Sequence, residues 1–167
     1  FGEGLVAHVG MADPFCPELS NMLATVSEQK GSDVHRGGTY VVIEGPAFST
    51  RAESNLYRSW DASVIGMTAS PEAKLAREAE ICFAVLAMVT DYDVWHKEHA
   101  DVSVDLVVAN LAKNARRSQE AIGEVAARLM RNPSCECQSA LGEAIATSRN
   151  AVPRATYDRL ELLIGKY

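Results

Sequence analysis

Two stretches constrain this chain more than any others. Ala62-Ser-Val-Ile-Gly-Met67 and Ile81-Cys-Phe-Ala-Val-Leu-Ala-Met-Val89 are nearly continuous apolar runs. A strand with one wet face alternates polar and apolar residues, so runs without alternation suit strands covered on both faces. Thr39-Tyr-Val-Val-Ile43 is rich in β-branched and aromatic residues and reads as a further strand, and Leu5-Val-Ala-His-Val9 as a short, weak one. Helical signals alternate with these runs. Thr50 and Glu53 have capping-box spacing, which predicts a helix over about 51–60. Ser70-Pro71-Glu72 sets a capping hydroxyl, an N1 proline and an acidic first turn in order, predicting a helix over roughly 71–80. From Ser103 onward, Val104, Val107, Val108, Leu111, Ala115, Ile122, Val125 and Leu129 fall on one face of a long helix that Gly123 is expected to bend. Beyond Met130, Arg131-Asn-Pro-Ser-Cys-Glu-Cys137 reads as a turn-rich connector, and Pro153 opens a last helix ending near Gly165. The strand–helix–strand–helix–strand order between 39 and 130 predicts an α/β fold, a mixed or parallel sheet flanked by helices, with 1–167 belonging to one domain.

The formal net charge of −6 leaves nothing to neutralise a run of phosphates, so nucleic acid is not an expected partner, although a small anion could bind through local donors. No apolar run approaches the roughly 18 residues that span a bilayer, so no membrane partner is expected. The opening Phe1-Gly-Glu-Gly4 has the form of neither a signal peptide nor an initiating methionine and reads as a chain that began upstream. Cysteines at 16, 82, 135 and 137 do not suggest a secreted disulfide framework, and the expected compartment is the cytoplasm.

In open α/β sheets, ligands gather at the carboxyl ends of strands. Three such ends are chemically marked: Glu44-Gly-Pro-Ala-Phe48-Ser49, Thr68-Ala-Ser70 and Thr90-Asp91-Tyr-Asp93. Asp91 and Asp93 are the sharpest feature. If the extended backbone continues past Val89, residues two apart share a face. Two carboxylates beside an apolar wall cannot both ionise cheaply, so one is expected to hold a proton more tightly. The resulting donor and acceptor would suit the edge of a 6-aminopurine, with Phe48 against its ring. The competing reading is a solvated loop with turn-forming aspartates.

At these residues the chain resembles a known family. Gly38-Thr-Tyr-Val-Val-Ile-Glu-Gly-Pro-Ala-Phe-Ser-Thr-Arg-Ala-Glu-Ser54 is very similar to the signature of 5′-methylthioadenosine phosphorylases, as are Val64-Ile-Gly-Met-Thr-Ala-Ser-Pro-Glu72, Ala76-Arg-Glu-Ala79, Thr90-Asp-Tyr-Asp-Val-Trp95 and the upstream Met11-Ala-Asp-Pro-Phe-Cys-Pro17. The resemblance implies the C-terminal portion of a purine nucleoside phosphorylase-like fold. It also implies phosphorolysis of methylthioadenosine to adenine and 5-methylthioribose-1-phosphate, with phosphate as co-substrate and no other cofactor or metal. By that similarity Ser49, Asp91 and Asp93 hold the adenine, and Phe48 and Val102 line its pocket. Asp91 lies nearest N7 and supports protonation of the leaving base. Met67 lies beneath the ribose, and Thr68 bridges ribose and phosphate. Val104 and Val107 accept the 5′-methylthio group, and His8 reaches a neighbouring subunit's substrate. Without the resemblance, the two valines read as plain helix core.

Relatives that take 6-oxopurines carry a Glu and an Asn for the base, so Ser49, Asp91 and Asp93 favour a 6-amino group; a related purine nucleoside phosphorylase preferring methylthioinosine or 6-oxopurine nucleosides is the alternative. The family's glycine/threonine phosphate loop and Arg-His pair belong to an N-terminal portion with no counterpart in these 167 residues. Either another chain supplies that portion or the chain is a fragment, and alone it is expected to be inactive. Trimeric assembly, or a hexamer, is implied. Rivals of other kinds are a non-catalytic purine-binding or assembly subunit and a nucleosidase attacking with water. His96-Lys-Glu-His99 lacks metalloprotease spacing and reads as surface. Cys135-Glu-Cys137 is too short a clip for most zinc sites by itself. Some relatives carry a redox-active or stabilising CxC near this point, which makes a local disulfide one reading. Cys16 and Cys82 read as small core residues.

Overall fold

A computed structural model describes residues 1–96, 104–129 and 133–167. The elements are α1 (Pro17–Gln29), β1 (Thr39–Val42), α2 (Arg51–Ser59), β2 (Ala62–Gly66), α3 (Ala69–Glu78), α4 (Val104–Arg128) and α5 (Arg154–Ile164), with single 3₁₀ turns at Glu136–Ser139 and Arg149–Ala151. The chain forms two compact units. The first comprises Phe1–Leu19, Pro71–Ala84 and Asn132–Tyr167, and the second Ser20–Ser70 and Val85–Arg131.

The second unit contains the sheet. β1 and β2 pair in parallel, Tyr40 opposite Val64 and Val42 opposite Gly66, with a register irregularity between Thr39 and Tyr40. There the Ser63 hydroxyl accepts from the Thr39 amide at 3.2 Å. Parallel strands need a crossover, and α2 supplies it. Thr50 caps that helix as its spacing predicts: its Oγ accepts from the Glu53 amide at 3.2 Å, and the Glu53 carboxylate accepts from the Thr50 amide at 2.7 Å. α3 starts as expected too. Ser70 is in the β region (φ −112°, ψ 130°), so the continuous helix runs from Pro71. The first unit is organised around Leu5, Leu141, Ala144 and Ile164, each under a tenth exposed. Glu80 ties it together, its carboxylate accepting from the Leu141 amide at 2.9 Å, from the Tyr167 hydroxyl and from Lys166.

Three expectations are corrected. The run 81–89 is not a strand, because no ladder pairs it with β1 or β2 among the described residues. Its carbonyls go elsewhere. Phe83 accepts from the Cys16 amide at 2.7 Å, and Val89 from the Asn114 side chain at 3.2 Å. The long helix forms, but rotated from the expected face. Val104, Val108, Leu111, Ile122 and Leu129 are each about half exposed or more, while Ala121 and Val125 are buried. Asn110 and Asn114 turn inward instead because their amides satisfy the open carbonyls of Thr90 and Val89. The segment 5–9 contributes only an isolated antiparallel bridge, Ala7 to Ile145. Finally, α1 was not anticipated from the sequence. Its signal is Pro17-Glu18, an N1 proline followed by an acid, with Cys16 Sγ accepting from the Leu19 amide at 3.5 Å.

Candidate active site

The segment 90–96 packs against α2, the helix that follows the loop after β1. Arg51, Ser54 and Arg58 lie three and four residues apart, on one face of that helix. Arg51 donates to the Val94 carbonyl, Ser54 Oγ donates to Asp93 Oδ2 at 2.6 Å, and the Arg58 guanidinium sits 3.5 Å over the Trp95 ring. One helical face therefore fixes the aspartate segment. Tyr92, Trp95 and His96 pack their rings together with centroids 4.9 to 6.2 Å apart. His96 is thus half-buried rather than a plain surface residue, while His99 lies outside the described residues.

Asp91 and Asp93 are neighbours in space, but not as two carboxylates aligned on an extended strand. Asp93 has a positive φ of 58°, which breaks the alternation. Asp91 Oδ1 accepts from the Asp93 amide at 2.9 Å, an Asx turn, and Asp91 Oδ2 accepts from the Thr90 hydroxyl at 2.7 Å. Asp93 is turned to Ser54. The extended-backbone expectation is corrected in favour of the turn, whose geometry still fixes each carboxylate through named donors. Ser54, 2% exposed, was missed as a partner because a buried serine mid-helix has no spacing signal of its own.

The other strand ends lie in the same unit. Ser49 Oγ is buried and meets no hydrogen-bond partner among the described residues. An unpaired buried hydroxyl costs roughly 1–3 kcal/mol, so any polar partner at this atom would be stabilising. Phe48 is 49% exposed beside it. Met67 packs tightly on the loop after β1. A Cβ at Gly45 would lie 2.5 Å from the Met67 sulfur, and Gly45 has φ 69°, so both the approach and the turn require glycine. Thr68 is exposed at the end of β2, just ahead of α3. Val104 opens α4 with 65% exposure and Val107 is half-buried, while Val102 lies outside the described residues. His8 belongs to the first unit, where its amide donates to the Ala144 carbonyl at 2.7 Å.

Residues 1–127 match the family described as the Phosphorylase superfamily. The chain belongs to that superfamily. Within it, the chain is 54% identical over 167 residues to an S-methyl-5′-thioadenosine phosphorylase of Geobacter sulfurreducens, covering 100% of this chain and 58% of that protein. It is 53% identical over 167 residues to a protein of the same name from Koribacter versatilis, covering 57% of it. A solved methylthioadenosine phosphorylase from an antarctic soil metagenomic library matches with a TM-score of 0.89 and 46% identity, over 98% of this chain and 58% of that one. The Schistosoma mansoni methylthioadenosine phosphorylase in complex with adenine matches with a TM-score of 0.76 and 29% identity, over 85% and 57%. The chain thus spans a little over half the length of these phosphorylase-superfamily relatives.

One more group of this superfamily member could hold a ligand. Cys16, Cys82, Cys135 and Cys137 are free thiols in the first unit, and their sulfurs all lie within 4.8 Å of one another. In sequence, two of them read as scattered core cysteines and two as an isolated clip, because spacing says nothing of segments that meet only in the fold. Burial pushes the Cys137 thiol up to about 11 and the Cys82 thiol higher still, with the neighbouring sulfurs adding to both. Burial acts on Cys135 in the same sense, but the Cys137 amide and the adjacent thiols outweigh it and hold Cys135 below its ordinary value.

Proposed function

We propose that this chain is the base-binding portion of an enzyme that cleaves S-methyl-5′-thioadenosine with phosphate, giving adenine and 5-methylthioribose-1-phosphate. The observation that carries the reading is the 54% identity, along the whole of this chain, to a protein named S-methyl-5′-thioadenosine phosphorylase. The site chemistry agrees with it. Ser49, whose buried hydroxyl meets no partner among the described residues, contacts the purine, and Phe48 and Val102 cover the ring. Asp93, held by Ser54, accepts from the 6-amino group, and Asp91 acts at N7 as the leaving base gains charge. Met67 lies under the ribose and Thr68 reaches between ribose and phosphate. Val104 and Val107 accept the methylthio group, and His8 serves a neighbouring subunit's substrate. The protein works in the cytoplasm as a homotrimer or hexamer, in purine and methionine salvage, and needs phosphate as co-substrate but no cofactor.

These 167 residues hold no counterpart of the family's phosphate loop and Arg-His pair, so the chain by itself is not expected to turn over. The base preference is tested by initial rates of the complete enzyme on methylthioadenosine and methylthioinosine. Faster cleavage of the adenosine compound supports the assignment of Ser49, Asp91 and Asp93; faster cleavage of the inosine compound overturns it.

A further inference from the structure

The four cysteines of the first unit point to a metal centre separate from purine chemistry. We propose that Cys16, Cys82, Cys135 and Cys137 bind one zinc ion as a tetrathiolate. The argument is geometric. Two disulfides would require only two short sulfur pairs, whereas a single central ion requires all four sulfurs to be mutually close. Here every pair lies within 4.8 Å, and Cys82 and Cys135 are 3.3 Å apart without a bond between them. Zinc–sulfur bonds of about 2.3 Å in a tetrahedron put the sulfurs about 3.8 Å apart, inside the observed range. Closing the shell therefore asks only small movements. A four-iron cluster is larger than a single ion and would spread its cysteine sulfurs farther.

The surroundings suit a thiolate shell. Cys16 and Cys137 are 1% and 4% exposed, so an ion there would be shielded from water. Cys16 Sγ stands at the start of α1 and accepts from the Leu19 amide at 3.5 Å, where a helix N-terminus favours negative charge. The Arg77 guanidinium lies 3.8 Å from Cys137 Sγ and offsets the net negative charge of four thiolates around a divalent ion. The same side chain donates to the Gly10 carbonyl at 3.3 Å, which fixes its direction. On binding, each thiol gives its proton to solvent as its sulfur–metal bond forms, and no electron is transferred. Tetrahedral all-sulfur coordination by such ligands is the geometry of a structural zinc site, with no position left open for substrate. The ion would tie three stretches of chain, at 16, 82 and 135–137, into one unit.

The test is a titration of the reduced, chelator-treated protein with cobalt(II), followed by zinc(II). The expected result is one cobalt per chain with sulfur-to-cobalt charge transfer and the d–d bands of a tetrahedral thiolate site. Zinc then displaces the cobalt and raises the unfolding temperature. Cys16→Ser and Cys82→Ser should each weaken uptake by more than about 100-fold, beyond what loss of an outer-shell partner does. Cys137→Ser, at the other end of the cluster, gives the same reading should either of those variants fail to fold. A reduced wild-type protein that takes up no cobalt, or a cobalt spectrum unchanged by Cys16→Ser and Cys82→Ser, overturns the proposal. So does recovery of the four cysteines as two disulfides, with no zinc, from protein purified under argon.

Discussion

At the scale of single residues, the aspartate pair shows both what a sequence can and cannot say. Asp91 and Asp93 follow an apolar run and precede aromatics, which was enough to mark them. Their orientation was not readable, because it depends on a positive φ at Asp93 and on a donor, Ser54, that lies 39 residues away in sequence. Removing that donor leaves a carboxylate short of its hydrogen bond. Hydrogen bonds to charged groups are worth about 1.5–3 kcal/mol, so Ser54→Ala should lower kcat/KM for methylthioadenosine roughly tenfold or more. Ser54→Thr, which keeps a hydroxyl, should recover part of the loss; equal rates for Ser54→Ala and wild type would show that Asp93 does not depend on this contact. Thr50 is the opposite case, legible in full from the Thr-x-x-Glu spacing. Thr50→Ala should cost about 1 kcal/mol in denaturant unfolding, because the Glu53 amide loses its acceptor. No measurable change would mean that the cap is dispensable to α2.

At the scale of elements, local signals were reliable and pairing was not. The β1–α2–β2 unit and the starts of α2 and α3 follow from capping residues and β-branched runs, which act over a few positions. The run 81–89 failed as a strand because pairing needs a neighbour, and none of the described residues offers one. The face of α4 was misjudged for a related reason. An apolar stripe predicts burial only if unpaired backbone carbonyls make no rival demand, and Asn110 and Asn114 answer such a demand at Thr90 and Val89. Glu80 makes a prediction at this scale, since one carboxylate links the end of α3 to Leu141, Lys166 and Tyr167. Burial would raise its proton affinity, but these partners outweigh it and hold the carboxyl below the usual range. A depressed folded-state value stabilises above the unfolded carboxylate value of about 4.3, and that contribution disappears as pH falls through the folded value. Glu80→Gln should therefore destabilise the protein by about 1–3 kcal/mol at pH 7 and have progressively less effect toward pH 3 in thermal unfolding. A penalty that stays constant over that range would place the effect in packing rather than charge.

At the scale of the whole molecule, sequence signatures carried the family and the fold class, while the thiol cluster had to wait for the structure, because Cys16, Cys82 and the CxC pair come from three distant segments. The chain spans 58% of its Geobacter sulfurreducens relative. If the missing phosphate donors lie outside it, the isolated 167-residue chain should release no adenine from methylthioadenosine under conditions where the complete enzyme does; measurable release by the isolated chain would contradict that division. On the proposed function, phosphate breaks the glycosidic bond while Asp91 and Asp93 act on the base. This is tested most directly by following adenine release from methylthioadenosine by the complete enzyme as phosphate is varied from none to saturating. The rate should vanish without phosphate, saturate with it and yield 5-methylthioribose-1-phosphate in equal amount to adenine. Adenine release that continues undiminished without phosphate, giving free methylthioribose, would contradict it.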